Sequence, residues 1–192
     1  MSTNIQWQSF KLTESDRAKI KDQQPLCLWM TGLSGAGKST LANALEEKLN
    51  GLGKHTYILD GDNLRHSLNQ DLGFTIEARN ENVRRAAEVA RLMVEAGLIV
   101  IVGLISPLKH ERDHARSLFR PNQFKEIFLS TSLQECEKRD VKGLYQKARS
   151  GDLKDFTGID SPYEVPEAPE IELNTENLSV DQAVEVIVKA IL

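Results

Sequence analysis

Residues 32–39 carry the residue types that bind a nucleotide triphosphate. Their sequence, GLSGAGKS, matches the phosphate-binding pattern G-x-x-x-x-G-K-[ST] at every fixed position. The glycines let consecutive backbone N–H groups turn towards phosphate oxygens, Lys38 can reach the outer two phosphates, and the Ser39 hydroxyl can bind Mg²⁺. A glycine-rich turn that binds nothing would not need Lys and Ser in these two places. The loop alone leaves open whether the chain is a kinase, an ATPase or a GTPase.

Two carboxylates and an arginine follow the apolar run of residues 56–59. Asp60 and Asp62 flank a glycine, which favours a sharp turn near the expected phosphate site. A carboxylate at this place could accept the proton of a substrate hydroxyl or hold Mg²⁺ through water, and Arg65 could bind an acidic substrate. The alternative is a solvated Asp-Gly turn without a catalytic role.

The candidate magnesium residues come from this turn and from the phosphate-binding loop. The apolar run of residues 98–105 ends in Ser106-Pro107 and lacks the terminal aspartate that many P-loop ATPases use for magnesium. We therefore expect the turn after residue 59 to bind the magnesium ion instead, and we predict that Ser39 and Asp60 hold it.

Residues 71–85 place an aromatic ring among cations and an amide. The candidate residues are Phe74, Arg79, Asn82, Arg84 and Arg85. This combination suits an acceptor that has both a flat ring and an anionic group. A core aromatic followed by a charged helix face would give the same pattern, so the segment alone does not decide between them.

Residues 139–160 form a basic segment between glycines. The cations are Arg139, Lys142, Lys147, Arg149 and Lys154, and the glycines are Gly143, Gly151 and Gly158. In small P-loop kinases such a hinged segment closes over the nucleotide, excludes water and brings cations to the transferring phosphoryl group. The pattern therefore predicts a lid, with an ordinary basic surface helix as the alternative.

The hydrophobic periodicity predicts the elements that must position these residues. Short apolar runs predict strands at 26–30, 56–59, 98–105, 125–129 and 171–173. Helical spacing and capping residues predict helices from Lys38 or Ser39 to Asn50, over 80–96, after Ser132 and after Ser179. Strands that alternate with helices indicate an α/β protein, a P-loop NTPase-like three-layer α/β/α fold with a mostly parallel sheet and a helical lid. Its ligand site should lie beyond the carboxyl ends of the strands.

Length and charge limit the remaining possibilities. The 192 residues suit a single domain over 1–192, with residues 1–24 as an N-terminal extension. A net charge of −4 and a pI near 5.6 give no electrostatic reason to expect nucleic acid or an anionic membrane as a partner. Apolar runs are too short for a membrane span or a signal peptide, and two isolated cysteines suit a reducing compartment, so we expect a cytoplasmic protein.

One motif points to a different chemistry. Residues 110–114, HERDH, match the H-E-x-x-H pattern of zinc peptidases. Charged flanks and the lack of an evident third ligand argue against a metal pocket. We expect an exposed amphipathic helix instead.

Taken together, the segments closely resemble one family, adenylylsulfate kinase, which uses ATP to phosphorylate adenosine 5′-phosphosulfate on its ribose 3′-hydroxyl. The matching strings are GLSGAGKST at 32–40, LDGDNLRHSLNQDLGF at 59–74, ENVRRAAEVARLMVEAGLIVIV at 81–102, ISP at 105–107, RDVKGLYQKARSGDLKDFTGID at 139–160 and PYEVPEAPEIEL at 162–173. The likeness covers roughly residues 5–190. DGDN, ISP, KGLY and FTGID together are far more specific than the phosphate-binding loop.

The resemblance implies a role for individual residues. The implied ATP-binding residues are Gly32, Leu33, Ser34, Gly35, Ala36, Gly37, Lys38, Ser39, Thr40 and Arg139. The implied substrate-binding residues are Asp62, Asn63, Arg65, Phe74, Arg79, Asn82, Ile105, Ser106, Lys142, Leu144 and Phe156. Asp62 would accept the 3′-hydroxyl proton, Phe74 and Phe156 would sandwich the substrate adenine, and Lys142 would act from the lid. Asp62, Lys38 and Ser106 are thus the candidate catalytic residues.

Ser106 also matches a serine that carries a phosphate in the family. Direct in-line transfer does not need that phosphate, because positioning and charge neutralisation suffice. Ser106 would then simply satisfy backbone groups before Pro107. By the same resemblance we expect ATP with Mg²⁺ and a homodimer.

The chain departs from the family pattern at two places. Gly103-Leu104 replace a common Ser-Phe, and Asp155 replaces a common glycine; neither change removes a catalytic group. The alternatives are a kinase of another small metabolite or nucleotide, and a regulatory kinase-like domain that binds a nucleotide as an effector. The second would be free to lose Lys38, Ser39 or Asp62, and all three are present.

Overall fold

The sheet is formed by five parallel strands in the order β2-β3-β1-β4-β5. The structure, a computed structural model, describes residues 4–192, so residues 1–3 of the predicted N-terminal extension lie outside the described part. The strands are β1 Leu26–Thr31, β2 Thr56–Asp60, β3 Ile99–Gly103, β4 Phe124–Leu129 and β5 Ile171–Leu173. Each of the five predicted strands is confirmed, with shifts of one or two residues at five of the ten strand ends.

Eight helices of the described chain connect and cover these strands. They are α1 Glu14–Ile20, α2 Lys38–Gly51, α3 Gly61–His66, α4 Ile76–Glu95, α5 Lys109–Ser117, α6 Leu133–Arg139, α7 Leu144–Arg149 and α8 Val180–Ile191. The predicted helix starts at Lys38, after Ser132 and after Ser179 are confirmed. The helix predicted over 80–96 begins four residues earlier, because the Thr75 hydroxyl accepts a hydrogen bond from the N–H of Ala78 and caps it.

The central strand β1 shows why the molecule has three layers. Leu28 and Met30 pack with α2 and α8 on one face of the sheet, whereas Cys27 and Trp29 pack with α4 and α5 on the other. Successive side chains of a strand point to opposite faces, so a continuously apolar strand must be covered on both. The predicted three-layer α/β/α fold is therefore confirmed. The division into one domain with an N-terminal extension stays a prediction.

Two sequence predictions near the site need correction. The strand predicted over 98–105 ends at Gly103, so residues 104–107 form a loop beyond the sheet. The predicted Asp-Gly turn after β2 is the start of helix α3, with Asp60 as its N-cap. A side-chain oxygen of aspartate can satisfy the free N–H groups of a first helical turn, which explains why a helix forms there. No helix of residues 4–192 is long and apolar enough to cross a membrane.

Candidate active site

A cavity of about 1090 Å³ opens at the carboxyl edge of the sheet. Its wall is formed by the phosphate-binding loop, the first turn of α3, the loop after β3, the lid region and the loop after β5. A typical pocket for one small ligand measures about 300–1,000 Å³. This cavity therefore lies just above the upper end of that range.

The phosphate-binding loop is tightly packed against the end of β4. Gly32 has a φ of 150°, and a Cβ atom on this residue would lie only 2.8 Å from the carbonyl oxygen of Leu129. A larger residue would therefore push the loop away from the sheet. The loop ends at Gly37, which is the N-cap of α2. The unpaired N–H groups of the first turn of α2 consequently face the loop, where they favour an anion.

Lys38 folds back onto its own loop. Its Nζ donates hydrogen bonds to the carbonyl oxygens of Gly32 and Leu33, both at 2.8 Å. Burial lowers the pKa of Lys38 to about 8, although nearby Asp60 and Asp62 act in the opposite direction. A triphosphate in the loop would give the Lys38 ammonium group a negatively charged partner in place of these neutral carbonyl oxygens.

Ser39 and Asp60 form a pair of oxygen groups beside the loop. The Ser39 hydroxyl donates to Asp60 Oδ2 at 2.7 Å, while Asp60 Oδ1 accepts from the N–H groups of Asp62 and Asn63 at 3.0 and 3.3 Å. The capping bonds fix the carboxylate and leave one oxygen directed at the serine. A hard cation such as Mg²⁺ prefers oxygen ligands of this kind, so the residues present fit the ion.

The lid region reaches across the cavity to the first turn of α3. Lys142 Nζ donates to the carboxylate of Asp62, and both side chains are more than half exposed. Asp140 holds the start of α7 by accepting from the N–H groups of Tyr145 and Gln146, both at 3.1 Å. The lid therefore brings a cation to the predicted catalytic carboxylate.

Two arginines, Arg65 and Arg79, line the cavity together with Asp62 and Phe74. We call the part of the wall formed by these four residues the acceptor half. The guanidinium of Arg65 lies 4.5 Å above the ring of Phe74 and donates to the carbonyl oxygen of Gly73 at 2.9 Å. Burial, followed by the neighbouring charge of Arg79, lowers the pKa of Arg65. The positive charges of Arg65 and Arg79 repel each other, and an anionic ligand between them would relieve this repulsion. Arg79 also donates to Thr157 Oγ1 at 3.4 Å, beyond the lid helix.

The predicted adenine pair has unequal surroundings. Phe74 is 65% exposed, whereas Phe156 is 8% exposed and packs edge-on against Tyr145, with ring centroids 4.9 Å apart. Asn82 lies nearby, and its Oδ1 accepts from the buried Asn69 at 3.0 Å, which leaves the Asn82 amide N–H groups for another partner. Phe74, Phe156 and Asn82 all line the cavity. Their contact with an adenine stays a prediction.

Ser106 lies in the loop after β3 and is 2% exposed. Its Oγ accepts a hydrogen bond from Trp29 Nε1 at 3.0 Å. The hydroxyl thus has a structural partner, which is an indole rather than the backbone groups that the sequence suggested.

Most of the predicted site residues come together in this cavity. Those that line it are Ser34, Gly35, Gly37, Lys38, Ser39, Thr40, Asp60, Asp62, Arg65, Phe74, Arg79, Asn82, Ile105, Ser106, Arg139, Lys142, Leu144 and Phe156. The structure does not bring Gly32, Leu33, Ala36 or Asn63 to its wall; Ala36 is buried, and Leu33 lines a shallow neighbouring pocket with residues 158–163.

Sequence reasoning missed the residues that support the phosphate-binding loop. The Tyr145 hydroxyl donates to the carbonyl oxygen of Ser34 at 2.8 Å, and Thr175 Oγ1 donates to that of Ala36 at 3.1 Å. Arg139 completes this support by donating to Thr175 Oγ1 at 3.0 Å. Thr175 follows β5 by two residues, so the rule that places sites at the carboxyl ends of strands could have found it.

The helix with the H-E-x-x-H pattern is only partly exposed. His110 and His114 are exposed, but Glu111 and Arg112 are 4% and 3% exposed. The expectation of an exposed amphipathic helix is therefore wrong for these two residues. Glu111 accepts a hydrogen bond from the N–H of Leu108 at 3.1 Å and so helps to start the helix. Residues 4–192 contain no group of three or more His, Cys, Asp or Glu that could hold a metal ion.

The departures from the family pattern have local explanations. Leu104 is 4% exposed and packs in the core beside α3, where a Cβ on Gly61 would lie 2.9 Å from Leu104 Cδ2. Asp155 has a φ of 58° and its N–H donates to Asp160 Oδ2 at 2.8 Å. A left-handed conformation favours glycine, which is consistent with the residue that the family commonly has there.

The fold and this cavity define a P-loop kinase with a nucleotide half and a second, cationic half. The chain belongs to the adenylylsulphate kinase family, whose model matches residues 24–174.

Individual relatives agree with this family. An adenylyl-sulfate kinase of Geotalea daltonii is 56% identical over 182 residues, which cover 95% of this chain and 90% of the relative. The bifunctional enzyme NodQ of a Rhizobium species (strain N33) is 56% identical over 184 residues, 96% of this chain but 28% of the relative. The chain thus spans a little over a quarter of the length of that bifunctional enzyme.

Solved structures give the same assignment. The Mycobacterium tuberculosis APS kinase CysC in complex with AMPPNP and APS has a TM-score of 0.84 and 46% identity, over 88% of this chain and 98% of that one. A hexameric APS kinase from Thiobacillus denitrificans has a TM-score of 0.66 and 32% identity, over 88% of this chain and 29% of that one.

Proposed function

We propose that this chain transfers the γ-phosphate of ATP to the 3′-hydroxyl of adenosine 5′-phosphosulfate, giving 3′-phosphoadenylylsulfate and ADP. The observation that carries the proposal is the two-part cavity. Residues of the phosphate-binding loop and the acceptor-half residues Asp62, Arg65, Phe74 and Arg79 line the same cavity. A donor nucleotide and an aromatic, anionic acceptor could therefore bind next to each other in one cavity.

The chain's own residues would perform three tasks. Lys38 and the N–H groups at the start of α2 would hold the outer phosphates and neutralise charge that develops during transfer. Arg65 and Arg79 would bind the anionic end of the acceptor, and Phe74 with Phe156 would hold its ring. Asp62 would accept the hydroxyl proton as the new bond to phosphorus forms.

Ser39 and Asp60 would hold Mg²⁺, which, when bound, neutralises phosphate charge and orients the transferring group. Support for this comes from the 2.7 Å hydrogen bond between the two side chains. Lys142 from the lid would release Asp62 when the acceptor hydroxyl takes its place, and its charge would then be available to the phosphoryl group.

We also propose a cytoplasmic homodimer. Large apolar side chains of the N-terminal segment support the dimer, because Ile5, Trp7, Phe10 and Leu12 are each at least 65% exposed. Single exposed apolar residues are common, but four in one short segment favour a partner surface. Two buried free cysteines, Cys27 and Cys136, agree with a reducing compartment.

A coupled assay of ADP release tests the reaction. Purified protein with ATP and Mg²⁺ should release ADP when adenylylsulfate is added, and it should not do so with AMP or shikimate in its place. AMP is the matched control, because it has the same base and ribose but lacks the sulfate. Release at the background rate with adenylylsulfate would contradict the proposal.

A further inference from the structure

Helix α5 carries a buried arginine that the proposed reaction leaves without a role. Arg112 is 3% exposed, and its Nε lies 2.8 Å from Glu126 Oε1 on β4. Burying a guanidinium is costly unless its N–H donors find partners. The partners of its two remaining nitrogens therefore indicate what the residue does.

Those two nitrogens hold backbone carbonyls next to the acceptor half of the cavity. Arg112 Nη1 donates to the carbonyl oxygen of Ser106 at 2.9 Å, and Nη2 donates to that of Glu164 at 2.7 Å. The N–H of Glu164 in turn donates to the carbonyl oxygen of Pro107 at 2.8 Å. Arg112 thus ties the loop after β3 to a distant segment of the chain.

The loop that is held in this way is strained. Ser106 has a φ of 37°, a conformation that residues other than glycine rarely adopt. Such a conformation persists only where the surroundings impose it. Two further side chains hold the loop. Trp29 donates to Ser106 Oγ at 3.0 Å, and Thr31 Oγ1 donates to the carbonyl oxygen of Ile105 at 2.6 Å and, more weakly, to that of Ser106 at 3.4 Å.

Arg112 itself is not part of the cavity wall, whereas Ile105, Ser106 and Pro107 are. Its loss would leave the Ser106 carbonyl with only the long, 3.4 Å hydrogen bond from Thr31 Oγ1 and would free the peptide after Ser106 to rotate. The loop would then relax out of its place in the wall. The phosphate-binding loop, in contrast, is held by Thr175 and Tyr145 and would keep its position.

We propose that Arg112 is a positioning residue for the acceptor: it holds the carbonyl of Ser106 so that residues 105–107 keep the shape of the acceptor wall. Its effect on catalysis rests on the proposed function. Its effect on the loop does not, because the hydrogen bonds are present whatever reaction the cavity performs.

Arg116 provides a matched control one helical turn away. It pairs with the same carboxylate, Glu126, at 3.2 Å and with Glu170 at 2.6 Å. Among the contacts of the described residues, Arg116 has none with residues 105–107. Arg112→Lys and Arg116→Lys therefore both keep a positive charge near Glu126, but only the first removes the bridge between Glu126 and the two carbonyls.

Steady-state kinetics separates positioning from a general loss of structure. Arg112→Lys should raise the KM for adenylylsulfate at least about fivefold and change the KM for ATP less than about twofold, whereas Arg116→Lys should leave both within about twofold. Equal increases in both KM values, or no increase, would overturn the proposal. If Arg112→Lys does not fold, the double variant Arg112→Met/Glu126→Gln removes both buried charges, and the same comparison applies to it.

Tryptophan fluorescence tests the loop without relying on the reaction. The chain has two tryptophans, so a Trp7→Phe background leaves only Trp29, whose indole donates to Ser106. Compared with the Trp7→Phe background alone, acrylamide should quench Trp29 at least about twofold more efficiently when Arg112→Lys is added and equally well when Arg116→Lys is added, since a relaxed loop exposes the indole.

If the unsubstituted chain is inactive with adenylylsulfate but this difference is found, the proposed function fails and the role of Arg112 in holding the loop stands. Unchanged quenching in Arg112→Lys overturns that role, whatever the activity.

Discussion

Asp62 is the side chain on which the proposed transfer depends most. It lies in the first turn of α3, lines the cavity and accepts a hydrogen bond from Lys142 of the lid. Asp62→Asn should lower kcat about 10²–10⁴-fold, because the amide cannot take the hydroxyl proton, while adenylylsulfate still binds. Rates from the coupled assay and calorimetric binding would measure the two effects separately.

A suitable control for that substitution is Asp71→Asn. Asp71 is an exposed carboxylate that pairs with Arg85 at 2.7 Å and does not line the cavity. This variant should keep its kcat within about twofold. An Asp62→Asn variant with the same kcat as the Asp71 control would exclude Asp62 as the base.

If Lys38 holds the phosphates as proposed, we expect the binding of ATP to depend on pH. Burial lowers its pKa to about 8, below the ordinary value for lysine, so at pH 8.5 roughly three quarters of the side chains are neutral. Bound phosphates favour the charged form and raise the pKa again, so binding takes up a proton at this pH. At pH 7 the lysine is already mostly charged, and the uptake should be much smaller.

Calorimetry of MgATP binding in two buffers of different ionisation enthalpy measures this uptake. We expect about 0.7 proton per ATP at pH 8.5 and about 0.1 at pH 7. Lys38→Arg is the control, because a guanidinium stays charged throughout this range. Equal proton uptake by the two proteins at pH 8.5 would show that Lys38 is not the group responsible.

Residues in local motifs could be predicted, and residues joined by long-range contacts could not. Lys38, Ser39 and Asp62 stand in short patterns whose chemistry is readable from spacing. Thr175 supports Ala36, which is 139 positions away, and no local periodicity encodes such a contact. Asn69 was missed for the same reason, since its burial against Asn82 follows from the packing of α4 on the sheet.

At the scale of elements, the loop after β5 holds the nucleotide half in place. Thr175 Oγ1 donates to Ala36 in the phosphate-binding loop and accepts from Arg139 of α6. Thr175→Val keeps the shape of the side chain but removes these two hydrogen bonds and a third with Thr131 Oγ1 at 2.7 Å, each worth about 1 kcal/mol. The KM for ATP should therefore rise about fivefold or more, and that for adenylylsulfate should change little.

Thr175→Ser is the matched control, because it keeps the hydroxyl and loses only a methyl group. Its KM for ATP should remain within about twofold of that of the unsubstituted chain. If Thr175→Val and Thr175→Ser have the same KM for ATP, the hydroxyl does not support the phosphate-binding loop.

The wrong predictions for the end of β3 and for the exposure of α5 have physical causes. Leu104 and Ile105 are as apolar as the strand before them, but the pairing of β3 with β1 and β2 ends at Gly103, opposite Met30 and Asp60. A strand continues only as far as neighbouring strands pair with it. The sequence pattern shows which residues are apolar but not where this pairing ends. In α5, the charge of Arg112 indicated exposure because its ion-pair partner, Glu126, lies on a distant strand, β4.

At the scale of the whole molecule, the proposed homodimer gives the N-terminal segment a role. Trp7 and Phe10 are 86% and 80% exposed. Light scattering after size-exclusion chromatography should give about twice the chain mass of 21.5 kDa for the unsubstituted protein. Trp7→Ser/Phe10→Ser should shift the protein towards the monomer, since the association loses apolar area.

The comparison is informative only at equal protein concentration, because association obeys mass action. A protein that elutes as a monomer over a wide concentration range would contradict the dimer. A dimer that is unaffected by the double substitution would place the interface elsewhere.

Following the phosphoryl group itself from ATP to adenylylsulfate tests the proposed reaction most directly. With ATP labelled at the γ-phosphate, the label should appear in a nucleotide product, and a 3′-nucleotidase should release it as inorganic phosphate. This result requires both halves of the cavity to act on their ligands together. Label that appears only as inorganic phosphate before the nucleotidase is added, or that remains in ATP, would contradict phosphoryl transfer from ATP to adenylylsulfate.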